Sequence, residues 1–120
     1  MKKILIVDDE AATRELLKNI LLNNNYEVIG EAANGEEAKK QYTLLKPDLV
    51  ILDIIMPIVS GFQALKEILN INPKAKVVML TGIHKKEQVA LCIKAGAKDF
   101  IIKPFDTERL IQRIEKALNS

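Results

Sequence analysis

Short apolar runs alternate with amphipathic stretches along the chain. Residues 4–7, 49–52, 77–80 and 100–102 are each rich in β-branched residues and too short for helices. A run without a polar position on either face reads as a strand covered on both sides, the mark of a parallel sheet. Residues 27–33 mix polar and apolar positions and read as an edge strand. Between these runs apolar residues recur at helical spacing. Leu16, Leu17, Ile20 and Leu21 form one stripe, and Leu65, Ile68 and Leu69 form another. Leu110, Ile111, Ile114, Ala117 and Leu118 give the most regular stripe. Ala38, Tyr42 and Leu45 make a weaker one, as do Val89, Ala90 and Ile93.

Start and stop signals agree with this division. Asn34 with Glu37, and Ser60 with Gln63, have capping-box spacing, and Asp106 follows Pro104 as an N-cap. Gly96 fits a helix stop, and Pro47 and Pro73 each separate a helix from the next strand. Strand and helix thus alternate five times. The expected fold class is α/β, a doubly wound (βα)5 sandwich with helices on both faces of a five-stranded parallel sheet.

Composition narrows the function. The 120 residues fit one domain, 1–120, and a chain of this size buries roughly two-thirds of its unfolded surface. An apolar content of 48% speaks against disorder. The net charge of +2 speaks against a dedicated nucleic-acid module. The single cysteine, Cys92, excludes an intrachain disulfide and is expected to be a small semi-buried hydrophobe. Met1-Lys2-Lys3 could open a signal peptide, but Asp8-Asp9 ends the apolar run well short of the ~7–15 residues that one needs. No stretch reaches the ~20 apolar residues of a membrane span. A soluble cytoplasmic domain is expected.

Open parallel sheets bind ligands beyond the carboxyl ends of their strands. Asp8 and Asp9 follow the first run, Asp53 the 49–52 run, Thr81 the 77–80 run and Lys103 the last. Three carboxylates against one ammonium repel unless a cation joins them. Mg²⁺ suits oxygen ligands of this kind, with waters and a phosphate oxygen completing its shell. Thr81 and Lys103 suit phosphoryl oxygens, as a hydroxyl donor and a point charge. The set therefore reads as Mg²⁺ plus a phosphoryl group, with one carboxylate placed to act as nucleophile. Asp8-Asp9 taken alone would read as a turn and helix cap.

Asp8-Asp9, Asp53 with Met56-Pro57 and Gly61, Thr81-Gly82 and Lys103-Pro104-Phe105 together resemble the receiver domain of two-component response regulators. The likeness runs from Lys3 to about Leu118. Residues 31–35 (EAANG) and 94–100 (KAGAKDF) resemble the single-domain chemotaxis regulators in particular.

This resemblance implies a flavodoxin-like strand order 2-1-3-4-5. It makes Asp53 the phosphoacceptor, served by a sensor histidine kinase or phosphotransfer protein. Asp8, Asp9, Asp53 and the Ile55 backbone carbonyl would hold Mg²⁺, and Thr81 and Lys103 would clasp the phosphoryl oxygens. The Lys103-Pro104 peptide is expected to be cis. Thr81 and Phe100 would form the switch that changes the surface of the fourth helix, fifth strand and fifth helix for a downstream protein target. The resemblance implies a monomeric signalling domain rather than an enzyme, without nucleic-acid binding or membrane insertion. At this length no attached output domain is expected, and the output is expected to be a protein–protein contact.

Two departures bear on behaviour. Phe100 lacks the hydroxyl of the tyrosine that many relatives carry. Ile55, Ile58, Val59 and Ile83 make the mouth apolar, which predicts slow entry of hydrolytic water and a long-lived phosphoryl group. Alternatives from other classes are weaker. A flavodoxin-like cofactor binder needs a phosphate loop where Asp8-Asp9-Glu10 stands. An Mg²⁺-dependent aspartyl-phosphate hydrolase usually has a second carboxylate at the position of Ile55. A non-phosphorylated scaffold receiver would not need the complete acidic set. Lys85, Lys86, Lys94 and Lys98 read as a solvated helix face, and His84 as an exposed loop residue.

Overall fold

Every apolar run becomes a strand, and every amphipathic stretch a helix, in the computed structural model, which describes residues 1–82 and 85–120. The order is β1 (Lys3–Val7), α1 (Ala11–Asn23), β2 (Glu27–Ala32), α2 (Gly35–Leu45), β3 (Leu49–Asp53), α3 (Gly61–Ile71), β4 (Val77–Thr81), α4 (Lys86–Ala95), β5 (Asp99–Ile102) and α5 (Thr107–Leu118). The strands form one parallel sheet in the order β2-β1-β3-β4-β5. The chain runs one way from β1 to β2 and the other way through β3, β4 and β5. The switch point therefore lies between β1 and β3.

Side chains alternate between the two faces of the sheet. Ile4, Ile6, Leu49, Ile51, Val78 and Leu80 pack against Leu17 and Leu21 of α1 and Leu110, Ile114 and Ala117 of α5. Leu5, Val7, Val50, Leu52, Val77 and Met79 pack against Ala38 and Tyr42 of α2, Leu65 and Ile68 of α3, and Cys92 of α4. The double cover explains why β1, β3 and β4 read as unbroken apolar runs.

The caps form largely as expected. Asn34 Oδ1 accepts the Glu37 N–H at 2.9 Å, while Glu37 Oε1 accepts from the Ala33 N–H, one residue before the reciprocal position. Ser60 Oγ accepts from Gln63 N–H at 3.3 Å, and Asp106 Oδ1 from Arg109 N–H at 2.7 Å. Gly96 ends α4 at φ +125°, a conformation that suits glycine.

Three expectations are corrected at the periphery. Residues 100–102 were expected to be covered on both faces, but β5 is an edge strand in which Ile102 is exposed and Phe100 half-buried. The α4 stripe is rotated. Cys92 is completely buried rather than semi-buried and Val89 partly so, while Ala90 and Ile93 face outward. In α1, Leu16 stands in solvent and leaves Leu17 and Leu21 as the buried pair. No described helix is long and apolar enough to cross a membrane.

Candidate functional site

The strand ends deliver their polar residues to one edge of the sheet. Parallel pairing sets Val7 beside Leu52, Asp53 beside Leu80, and Thr81 beside Ile102. The residues that follow are thus brought together without any long-range fitting of loops. Asp8, Asp9 and Asp53 each place a carboxylate oxygen so that all three lie within 4.8 Å of one another. Asp8 and Asp53 are buried and Asp9 is exposed.

Lys103 closes the group from the end of β5. Its Nζ stands 2.9 Å from Asp8 Oδ2 and 3.6 Å from Asp53 Oδ2. Its backbone N–H donates to the Thr81 carbonyl at 2.7 Å, tying the ends of β4 and β5 together. The Lys103–Pro104 peptide is cis, as expected. Thr81 is buried, and its hydroxyl donates to the Gly82 carbonyl at 3.2 Å.

Asp8-Asp9 does not cap α1. The N-cap residue is Glu10, whose side chain makes no capping bond. Instead Asp8 Oδ1 accepts the Glu10 N–H at 2.8 Å, which directs the other oxygen, Oδ2, into the site. That oxygen is buried and has no hydrogen-bond partner among the described residues. Lys103 Nζ brings it a positive charge at 2.9 Å. A buried carboxylate oxygen left in this condition is costly, and a hard cation would satisfy it. The donor set, all oxygen and excess negative, fits Mg²⁺.

Electrostatics report the same imbalance. Burial, then the neighbouring Asp8 charge, push the Asp53 carboxyl from 3.8 up to about 7, with Asp9 adding to the rise. Lys103 and the Ile55 N–H, 3.4 Å from Asp53 Oδ1, oppose the rise without cancelling it. Burial works against the Lys103 charge, but the Asp8, Asp53 and Glu10 carboxylates outweigh it and hold its pKa above the usual lysine value.

Asp53 is braced from behind. The Gly61 N–H donates to the Ile54 carbonyl at 2.7 Å, so the start of α3 lies flat against the end of β3. A Cβ at Gly61 would stand 2.0 Å from the Asp53 carbonyl oxygen, so only glycine permits this approach.

A family model for the response regulator receiver domain matches residues 4–115. The chain belongs to that family. It is 48% identical over 115 residues to a chemotaxis protein CheY of Thermotoga maritima, covering 96% of each chain. It is 46% identical over 117 residues to CheY of Bacillus subtilis, covering 98% of each. Among solved structures it is similar to a Borrelia burgdorferi CheX–CheY–BeF3–Mg²⁺ complex, at 36% identity and a TM-score of 0.91, with 94% of this chain and 86% of that one covered.

The receiver's mouth is partly as expected. Ile55 is 55% exposed at the end of the site, and Ile58 is 76% exposed. Ile58 also has φ +68°, a left-handed conformation unusual for a β-branched residue. Ile83 and His84 lie outside the described residues. A groove of about 580 Å³ opens beside the site between α4 and β5, lined by Thr81, Val89, Ile93, Phe100 and Ile102 among others.

Sequence reasoning missed four polar residues of this receiver. Glu10 Oε1 stands 3.6 Å from Lys103 Nζ, a third carboxylate around one ammonium after Asp8 and Asp53. Arg14 Nη1 donates to the Asp8 backbone carbonyl at 2.6 Å while its Nε donates to Glu31 Oε1 at 3.0 Å. Glu31 also pairs with Lys18 at 2.9 Å; Lys18 first, against a smaller effect of burial, holds its carboxyl below the usual range. The loop bearing Asp8 is thus fastened to β2. In the sequence Glu31 stands out only as part of the family-like segment 31–35. Its pairing with Arg14 depends on the β1–β2 register, which shifts between Ile4 and Leu5.

Proposed function

We propose that this receiver takes a phosphoryl group onto Asp53 from a phosphohistidine of a sensor histidine kinase or phosphotransfer protein, and passes the signal to a protein target. The observation that carries the reading is the convergence of the Asp8, Asp9 and Asp53 carboxylates within 4.8 Å, beside a lysine and a buried threonine.

Asp8, Asp9, Asp53 and the Ile55 backbone carbonyl are the residues that would hold Mg²⁺. The ion would neutralise charge on the carboxylates and on the phosphoryl oxygens. Asp53 Oδ forms the new bond to phosphorus as the bond to the histidine nitrogen breaks, and the imidazole leaves with its electron pair. The brace at Gly61 fixes the carboxylate for in-line approach, and positioning supplies much of such a reaction. Lys103 then turns from Asp8 toward a phosphoryl oxygen. Thr81 gives up its bond to the Gly82 carbonyl and donates to another phosphoryl oxygen. Its movement opens space toward the groove into which Phe100 swings, which alters the α4–β5–α5 surface.

The relative solved with CheX, BeF3 and Mg²⁺ supports this assignment, since trifluoroberyllate resembles a bound phosphoryl group. On this reading the chain acts as a cytoplasmic monomer, a signalling domain rather than a turnover enzyme, and it contacts proteins rather than nucleic acid or membrane. Its likeness to chemotaxis regulators makes a motility pathway the first to examine. The test is incubation with acetyl phosphate and Mg²⁺, read by intact mass. One added phosphoryl group is expected, absent with EDTA and in Asp53→Ala. Modification that persists in Asp53→Ala overturns the assignment.

A further inference from the structure

Phe100 has no hydroxyl with which to anchor its ring, yet the ring is held. Asp99, buried at the start of β5, accepts the Phe100 N–H on Oδ1 at 2.8 Å. The same oxygen accepts a hydrogen bond from Arg113 Nη1 of α5, also at 2.8 Å. The Arg113 guanidinium in turn lies over the Phe100 ring, 5.4 Å from its centroid, within the range of a cation–π contact. Backbone and ring of one residue therefore converge on a single ion pair, formed between its own strand and α5.

The pair is not a closed clasp. Asp99 Oδ2 is buried and has no hydrogen-bond partner among the described residues, so Arg113 engages one oxygen where a planar guanidinium could engage two. An arginine held at one point can pivot with the ring. Phe100 also borders the groove that reaches Thr81. The Thr81 hydroxyl is turned to the Gly82 carbonyl, so the ring position under Arg113 accompanies the unswitched threonine.

We propose that Arg113, anchored by Asp99, is a positioning residue that latches Phe100 in its unphosphorylated place and so sets how much phosphoryl binding is needed to throw the switch. The latch rests on the switch reading given above. A contact made only in the unswitched state lowers the apparent affinity for a phosphoryl group by the factor with which it favours that state. The guanidinium substitutes for the missing tyrosine hydroxyl, acting on the face of the ring rather than its tip.

The test uses the full chain with ¹³C-labelled phenylalanine rings, titrated with Mg²⁺ and beryllofluoride and followed by NMR. The chain has three phenylalanines, so the Phe100 signal is assignable. Beryllofluoride is expected to move the wild-type Phe100 signal. In Arg113→Gln the free protein's signal is expected part-way to the bound position, and half-saturation at about three- to tenfold less beryllofluoride, as loss of a partly exposed cation–π contact implies. Arg113→Lys, which keeps the charge and loses the flat stack, falls between. Asp99→Asn keeps an acceptor for the Phe100 N–H and removes the ion pair. It shifts the signal in the same direction by less, and serves if Arg113→Gln does not fold. An unchanged ring signal and half-saturation within about twofold of wild type in a folded variant overturn the latch alone. A wild-type ring that ignores bound beryllofluoride overturns the switch reading and the latch with it. Failure of beryllofluoride to bind the wild type, or binding unaffected in Asp53→Ala, overturns the phosphoacceptor assignment beneath both.

Discussion

The middle of the sheet and its β5 edge are built to different standards. In β1, β3 and β4 nearly every side chain is enclosed on both faces, and the carboxylates stand at the ends of these strands. At the edge, α4 buries one residue completely, β5 alternates between covered and open positions, and a groove separates the two. Chemistry that depends on carboxylates held a few ångströms apart sits on the part that cannot shift. The surface proposed to change sits where few apolar contacts oppose change, since local stability follows buried packing.

The sharpest way to break the contrast is a pair of matched truncations. Leu52→Ala, in the completely buried middle of β3, is expected to lower unfolding free energy by ~3 kcal/mol, as buried leucines do. Leu91→Ala, on a residue 52% exposed in α4, is expected to stay within ~0.5 kcal/mol. Urea denaturation of both measures the difference, and equal losses would show the edge to be as firmly packed as the centre.

Order in the middle comes with electrostatic tension. The folded pKa of Asp53 lies at about 7 against an ordinary 3.8, so the folded state binds the proton more tightly than the unfolded chain. Stability contributed by this group is complete below about 3.8 and is lost as pH rises through about 7. Asp53→Asn should therefore stabilise the metal-free protein at pH 8 by between ~1 and ~4 kcal/mol, taking ~1.4 kcal/mol per pKa unit. The gain should vanish at pH 4 and shrink on adding Mg²⁺. Thermal melts across pH test the sign, and a gain that grows toward low pH contradicts it.

Strain at the mouth is the next contrast. Ile58 adopts φ +68° while largely exposed, so its side chain returns little burial for an unfavourable backbone. Ile58→Gly is expected to raise stability by ~1 kcal/mol, visible as a higher melting temperature. The smallest effect concerns lifetime. Ile55→Asn replaces an apolar rim residue with one that can hold a water near the aspartyl phosphate, and should speed its decay by about threefold, ~0.6 kcal/mol in the barrier. Unchanged decay of phosphorylated protein would remove the apolar rim as an explanation of lifetime.

The same division decides what the amino-acid sequence discloses. The central strands were legible because double cover leaves no polar residue inside them. Asp8, Asp9, Asp53, Thr81 and Lys103 were legible because a parallel sheet sends all its strand ends to one edge. Residues 100–102 carry the same apolar signature at an edge, where Ile102 has nothing outside it, so pattern alone placed them too deep. The α4 stripe failed for a related reason. Val89, Ala90, Leu91, Cys92 and Ile93 are contiguous and apolar, so no single face stands out, and the sheet chose Cys92. Arg14 with Glu31 and Arg113 with Asp99 were invisible because each pair joins different elements, at a distance along the chain that only the crossovers make short.

The chain's sole thiol lies under the least anchored helix. Cys92 is fully buried, and burial raises its pKa, so it is shielded both from reagents and from ionisation while α4 stays seated. Every encounter with a thiol reagent therefore requires the helix to lift. The rate of labelling at this one sulfur becomes a clock for that opening, read in the native sequence without adding a probe.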